Sequence, residues 1–103
     1  ISDEVYAELT YEKRHCATAT VANLRERTIT LNGFSKAYAM TGWRIGYLCA
    51  PKELCDAALK IHQYVMLCAP VMGQVGALEA LRSMPSRPSR APVSPMWNLP
   101  SGS

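Results

Sequence analysis

At 103 residues, 49% hydrophobic and 18% charged, the chain has material for one small domain or a piece of a larger one. Its formal charge of +3 is mild, and no basic stripe with interleaved aromatics marks a nucleic-acid surface. No apolar run approaches the roughly 20 residues of a membrane span, so neither nucleic acid nor membrane is an expected partner.

In chain order, Ile1 to Leu9 has the β-branched and aromatic content of a strand. Its acidic start lacks the basic residues of a signal peptide. Thr28 to Leu31 (TITL) reads as a short buried strand stopped by the turn signal Asn32-Gly33. Ser35 to Thr41 is a loop or helical turn, and Trp43 to Ala50 (WRIGYLCA) a further strand ended by Pro51. Pro51 then opens a helix with Glu53 in its first turn, and Leu54, Ala58, Ile61, Val65 and Cys68 form one apolar face at helical spacing. Lys52, Asp56 and Lys60 are its solvated residues. After Pro70 a second helix is expected over Val71 to Arg82, carrying Val75, Leu78 and Leu81. Mixed strands and helices give an α/β class.

From Ser83 the composition changes. Residues 83–103 hold five of the seven prolines and no acidic residue. Such a segment cannot bury enough apolar surface to offset its ordering entropy, so disorder is expected there, with a Pro-rich recognition peptide as the sharper alternative. The domain reading is therefore 1–82 folded and 83–103 a disordered tail. Cys16, Cys49, Cys55 and Cys68 show no CxxC pairing and are expected as free buried thiols in a reducing, cytoplasmic compartment. His15-Cys16 has no second ligand motif near it, and no metal site is expected.

The segment Leu31 to Tyr47, LNGFSKAYAMTGWRIGY, is the most informative. Its ionisable groups of the Lys, Arg, Asp, Glu or His kind are Lys36 and Arg44. A phosphate loop needs GxxxxGK followed by Ser or Thr, and a dinucleotide fingerprint needs GxGxxG; the glycines here fit neither. Two readings stay open. Lys36 could be a solvated loop residue and Arg44 a strand residue with its stem on apolar surface. Alternatively the amine forms a Schiff base with a carbonyl compound while the guanidinium grips an anion. Lysine is nucleophilic only as the neutral amine, which a desolvated site favours, and arginine holds phosphate through paired hydrogen bonds.

GFSKAYAMTGWRIGY resembles the cofactor-lysine signature of the class I/II aminotransferases, the fold-type-I enzymes that use pyridoxal 5′-phosphate (PLP). Ser2-Asp3-Glu4-Val5-Tyr6 resembles the DEVY segment that precedes that lysine by some thirty residues. The likeness runs over roughly Ile1 to Arg82 and is greatest to aspartate aminotransferase-like subgroups. It implies a section of the large α/β domain, a mostly parallel sheet flanked by helices, in which the strand around Arg44 runs antiparallel.

The resemblance also implies roles. Lys36 would be the internal aldimine lysine and later the base that moves the substrate's α-proton. Asp3 would keep the pyridine nitrogen protonated, Tyr6 would donate a hydrogen bond to the 3′ oxygen, and Arg44 would bind the phosphate. Ser35 is a weaker phosphate ligand. Gly33 stands where many relatives have a phosphate-binding Ser. Gly42 and Gly46 are read as sites of close backbone approach, Tyr38, Met40, Trp43 and Tyr47 as packing residues, and Glu4 and Glu8 as a solvated strand edge. The family's glycine-rich phosphate loop, ring-stacking aromatic, Asn on the 3′ oxygen and substrate-carboxylate arginine cannot be located in this sequence. Two functional hypotheses follow. One is the cofactor-binding core of an aminotransferase that acts on an amino acid and a 2-oxo acid as a homodimer. The other is a non-catalytic remnant that binds PLP weakly or not at all.

Overall fold

The computed structural model describes residues 1–84; the expected tail lies, from residue 85 on, outside the described residues. Three strands form one mixed sheet in the order β1-β2-β3. Strand β1 (Ser2–Asp3) runs parallel to β2 (Thr30–Gly33), with Ser2 opposite Thr30 and Asp3 opposite Leu31. Strand β3 (Gly46–Cys49) runs antiparallel on the other side of β2, with Gly33 opposite Gly46 and Thr30 opposite Cys49. The antiparallel strand is thus the one that follows Arg44, as the resemblance implied.

The first strand is shorter than its sequence suggested. Only Ser2 and Asp3 pair with β2, and residues 5–8 form a turn in which Ala7 N–H donates to the Glu4 carbonyl at 2.9 Å. The second begins two residues later than expected. Thr28 is buried and its Oγ1 donates to the Leu24 carbonyl at 2.7 Å, closing the preceding turn instead of joining the ladder.

A single helical turn, α1 (Phe34–Ala37), follows β2 directly. The chain then bends through a 3-10 turn at Thr41–Trp43. The expected strand from Trp43 starts only at Gly46, because Arg44 adopts φ 55° and ψ 45°, a left-handed conformation no ladder accommodates. Ala39 is also left-handed, at φ 53°. Two non-glycine residues in this costly region bracket the turn between Lys36 and the sheet.

Helix α2 (Lys52–Val65) and helix α3 (Val71–Ser83) each begin after a proline, as anticipated. The apolar face of α2 forms but is not covered: none of its residues is buried, and Ile61 is 67% exposed. The Lys52–Asp56 pair on its surface is well solvated and contributes little. Helix α3 supplies Ala77 to a small core with Phe34, Met40 and Ile45, against which Tyr38, Ala69 and Ala80 pack. Of the four cysteines, Cys16, Cys49 and Cys68 are exposed and Cys55 is half-buried, its thiol donating to the Ala50 carbonyl at 3.3 Å. They are free, as expected, but not buried.

Glycine is what lets α3 sit on the 43–45 segment. A Cβ on Gly73 would lie 2.7 Å from Ile45 Cδ1 and 2.8 Å from the Trp43 carbonyl oxygen, which is backbone and cannot swing aside. The three atoms nearest to one on Gly76, at 2.7, 2.9 and 3.3 Å, all belong to the Trp43 ring, the far end of a half-exposed side chain. Gly73→Ala is therefore expected to lower stability by about 1–3 kcal/mol through overpacking, more than the ~1 kcal/mol that helix propensity returns. Gly76→Ala should be neutral or stabilising. Denaturant midpoints of the two variants check the contrast.

Candidate functional site

The mixed sheet gathers the candidate residues at one end of its strands. Because β1 and β2 are parallel, their carboxyl ends lie side by side; because β3 is antiparallel, its first residue lies beside them. Asp3 ends β1, and Tyr6 lies in the turn that follows. Gly33 ends β2, with Ser35 and Lys36 on the helical turn directly after it. Arg44 stands two residues before Gly46, where β3 begins. The carboxyl ends of parallel strands are where open α/β sheets place their ligands.

Lys36 is half-buried, and its Nζ lies 5.5 Å from the centroid of the Tyr6 ring. Among the described residues, neither Lys36 nor Arg44 forms an ion pair with a carboxylate. Arg44 is exposed and steadied by its own loop, Nη1 donating to the Thr41 carbonyl at 2.8 Å. Asp3 is exposed, and its Oδ1 accepts the Val5 N–H at 3.2 Å. The Ser35 carbonyl accepts from Thr41 Oγ1 at 3.0 Å, tying the lysine turn to the arginine turn. An open groove of about 390 Å³ between the 39–44 loop and the start of α3 includes Arg44 but not Lys36 or Tyr6.

The glycines divide. A Cβ on Gly33 would lie 3.1 Å from the Ile45 carbonyl oxygen and 3.3 Å from Gly46 Cα, and one on Gly46 would lie 3.2 Å from the Asn32 carbonyl oxygen. Gly33 is thus suited to close approach of β2 and β3, and a serine there would crowd the ladder. Gly42 has open space around it, so the close approach expected at that position does not occur.

Glu4 is the main correction. Expected on a solvated edge, it is buried, at 6% exposure, while Glu8 is exposed. Glu4 Oε1 accepts from Thr18 N–H at 2.9 Å and Ser2 Oγ at 3.0 Å, and Oε2 lies 3.0 Å from His15 Nε2. Burial alone would push its pKa up, but the bonds from Thr18, His15 and Ser2 and the nearby His15 charge outweigh it, and the carboxyl is held below its ordinary value. A carboxylate only accepts, so His15 Nε2 carries the proton in this contact. Strand alternation, which turns Ser2 and Glu4 away from Asp3, was readable; His15, eleven residues on, carried no local signal. Burial also raises the pKa of Tyr47, aided by Cys49, Tyr38, Glu8 and Glu4. No three His, Cys, Asp or Glu side chains among the described residues gather as metal ligands.

The profile of aminotransferase class I and II matches residues 1–90. The chain belongs to this family. It is 56% identical over 79 residues to YugH of Bacillus subtilis, covering 77% of this chain and 20% of that protein. It is 46% identical over 79 residues to the aspartate aminotransferase of Musicola paradisiaca, covering 76% and 20%. Among solved structures, the aromatic aminotransferase of Pyrococcus horikoshii superposes with a TM-score of 0.76 at 42% identity, over 82% of this chain and 23% of that one. A Thermus thermophilus aspartate aminotransferase double mutant superposes at 0.74 and 44% identity, over 80% and 21%. The chain therefore spans about a fifth of the length of the aminotransferases it matches.

The depressed pKa of Glu4 has a definite sign. Its carboxylate stabilises the fold in full above the ordinary carboxyl value of 4.5, and that contribution is lost as pH falls through the lower folded value. Glu4→Gln should flatten stability over that acidic window, whereas Glu4→Ala should cost about 1–3 kcal/mol near neutrality by orphaning the Thr18 N–H. Denaturant midpoints measured against pH distinguish the two.

Proposed function

We propose that the chain carries the cofactor-lysine segment of a PLP-dependent aminotransferase that moves an amino group between an amino acid and a 2-oxo acid. The observation that supports it most is the placement of Asp3, Tyr6, Lys36 and Arg44 at or just beyond neighbouring strand ends at one end of the sheet, with the amine and the guanidinium unpaired with carboxylates among the described residues. An amine that attacks a carbonyl, a guanidinium that grips phosphate, a carboxylate and a phenol are the donor set that PLP requires, so these residues fit the cofactor.

When bound, PLP supplies an electrophilic carbonyl and a ring that accepts electrons from the substrate's α-carbon. Lys36 Nζ would be the nucleophile that holds it and then the base for the α-proton. Asp3 would keep a proton on the ring nitrogen, Tyr6 would donate its phenolic hydrogen to the 3′ oxygen, and Arg44 would hold the phosphate through charge-assisted bonds. Ser35, a weaker phosphate ligand, would add its hydroxyl beside it. The full-length protein works as a homodimer in the cytoplasm, and residues 1–82 are a part of its large domain.

The chain mixed with PLP should develop the absorbance band of a lysine adduct, and Lys36→Ala should abolish it. Arg44→Ala should raise the half-saturating PLP concentration about tenfold, equivalent to about 1.4 kcal/mol, and should not alter the response to pyridoxal lacking the phosphate. Equal loss with both compounds contradicts the role given to Arg44. Turnover of an amino acid with 2-oxoglutarate is expected to be absent in the 103-residue chain, and robust turnover would show that fewer parts suffice.

A further inference from the structure

We infer that Glu4 and His15 are positioning residues for the Asp3–Tyr6 face: a buried carboxylate clamp that aims Tyr6 at Lys36. The inference rests on the reading of Asp3 and Tyr6 as cofactor ligands.

Apart from the contact of its ring with Lys36, Tyr6 has no side-chain hydrogen bond to fix it among the described residues. Its side chain is 60% exposed, and among the described residues its hydroxyl makes no hydrogen bond. Its place over Lys36 Nζ is therefore set by its backbone, which leaves the sheet at Glu4. Glu4 N–H donates the last bond of this segment to β2, to the Leu31 carbonyl at 2.8 Å. The Glu4 carbonyl then accepts from Ala7 N–H at 2.9 Å, and the Tyr6 carbonyl from Leu9 N–H at 2.9 Å, which closes the turn. Glu4 is thus the pivot between the strand that ends in Asp3 and the turn that presents Tyr6.

The pivot is held from below. Glu4 points away from Asp3 into a pocket of donors from Ser2, His15 and Thr18, and its side chain is 5% exposed. Ser2 Oγ also lies 2.9 Å from Thr18 Oγ1, so three contacts fasten the 15–18 segment to Ser2 and Glu4. A buried carboxylate with both oxygens bonded resists rotation, because any movement leaves a buried charge or donor unpaired. The solvated face carries the chemistry, and the buried face holds it still.

The contact itself can be read. In the 103-residue chain, nuclear Overhauser effects between the Lys36 methylenes and the Tyr6 ring are expected. They should be lost in Glu4→Ala, weakened in His15→Ala, and restored in Glu4→Gln, which keeps an acceptor for Thr18 N–H. Cross-strand effects between Leu31 and Leu48 serve as the folding control. If the contact persists in Glu4→Ala with the sheet intact, the clamp is overturned. If Glu4→Ala unfolds, His15→Ala decides, since it leaves the Ser2 and Thr18 bonds in place, and an unchanged contact there overturns the clamp. With PLP added, Glu4→Ala should shift the pH midpoint of the absorbance band as Tyr6→Phe does, and the double variant should shift it no further. Additive shifts count against the clamp. A wild-type chain without a PLP band sinks the cofactor reading and the clamp's purpose together. A band with an unchanged contact sinks the clamp alone.

Discussion

β2 is hydrogen-bonded on both edges, to a parallel neighbour on one side and an antiparallel neighbour on the other. That double pairing brings residues far apart in the chain to one end of the sheet's strands. Asp3 and Gly33 share it because β1 and β2 run the same way, and Arg44 joins them because β3 runs back. The close approach of Gly33 and Gly46 sets the spacing, since either strand carrying a side chain at that point would press on the other's backbone. What the site can do therefore depends on a short ladder of main-chain bonds rather than on a large core.

The core is correspondingly small. Phe34, Met40, Ile45 and Ala77 are its buried apolar members, and helix α3 reaches them by presenting Gly73 and Gly76 to the 43–45 segment. Helix α2 is amphipathic but lays its apolar face against no buried partner among the described residues. A polar cluster around Glu4 does some of the work that apolar packing does elsewhere, fastening residues 15–18 under β1.

Much of this is legible in the sequence. Prolines 51 and 70 placed both helix starts, and GFSKAYAMTGWRIGY with SDEVY pointed to the family and the α/β class. Three things were not legible, each for a physical reason. The left-handed backbone at Arg44 cut short the strand that β-branched and aromatic content had suggested, because local propensity does not register a conformation imposed by neighbours. The burial of Glu4 depended on His15 and Thr18, whose approach is a tertiary event. The exposure of Cys16, Cys49 and Cys68 followed from faces that no described element covers, which hydropathy alone cannot reveal.

The proposed chemistry requires a covalent bond between PLP and one amine. Borohydride reduction of the chain with PLP, followed by digestion and peptide mass mapping, locates that bond. The label is expected on Lys36, the lysine at the gathered strand ends, and not on Lys13, Lys52 or Lys60. A label on any of those three, or one spread evenly over all four, contradicts the site described here.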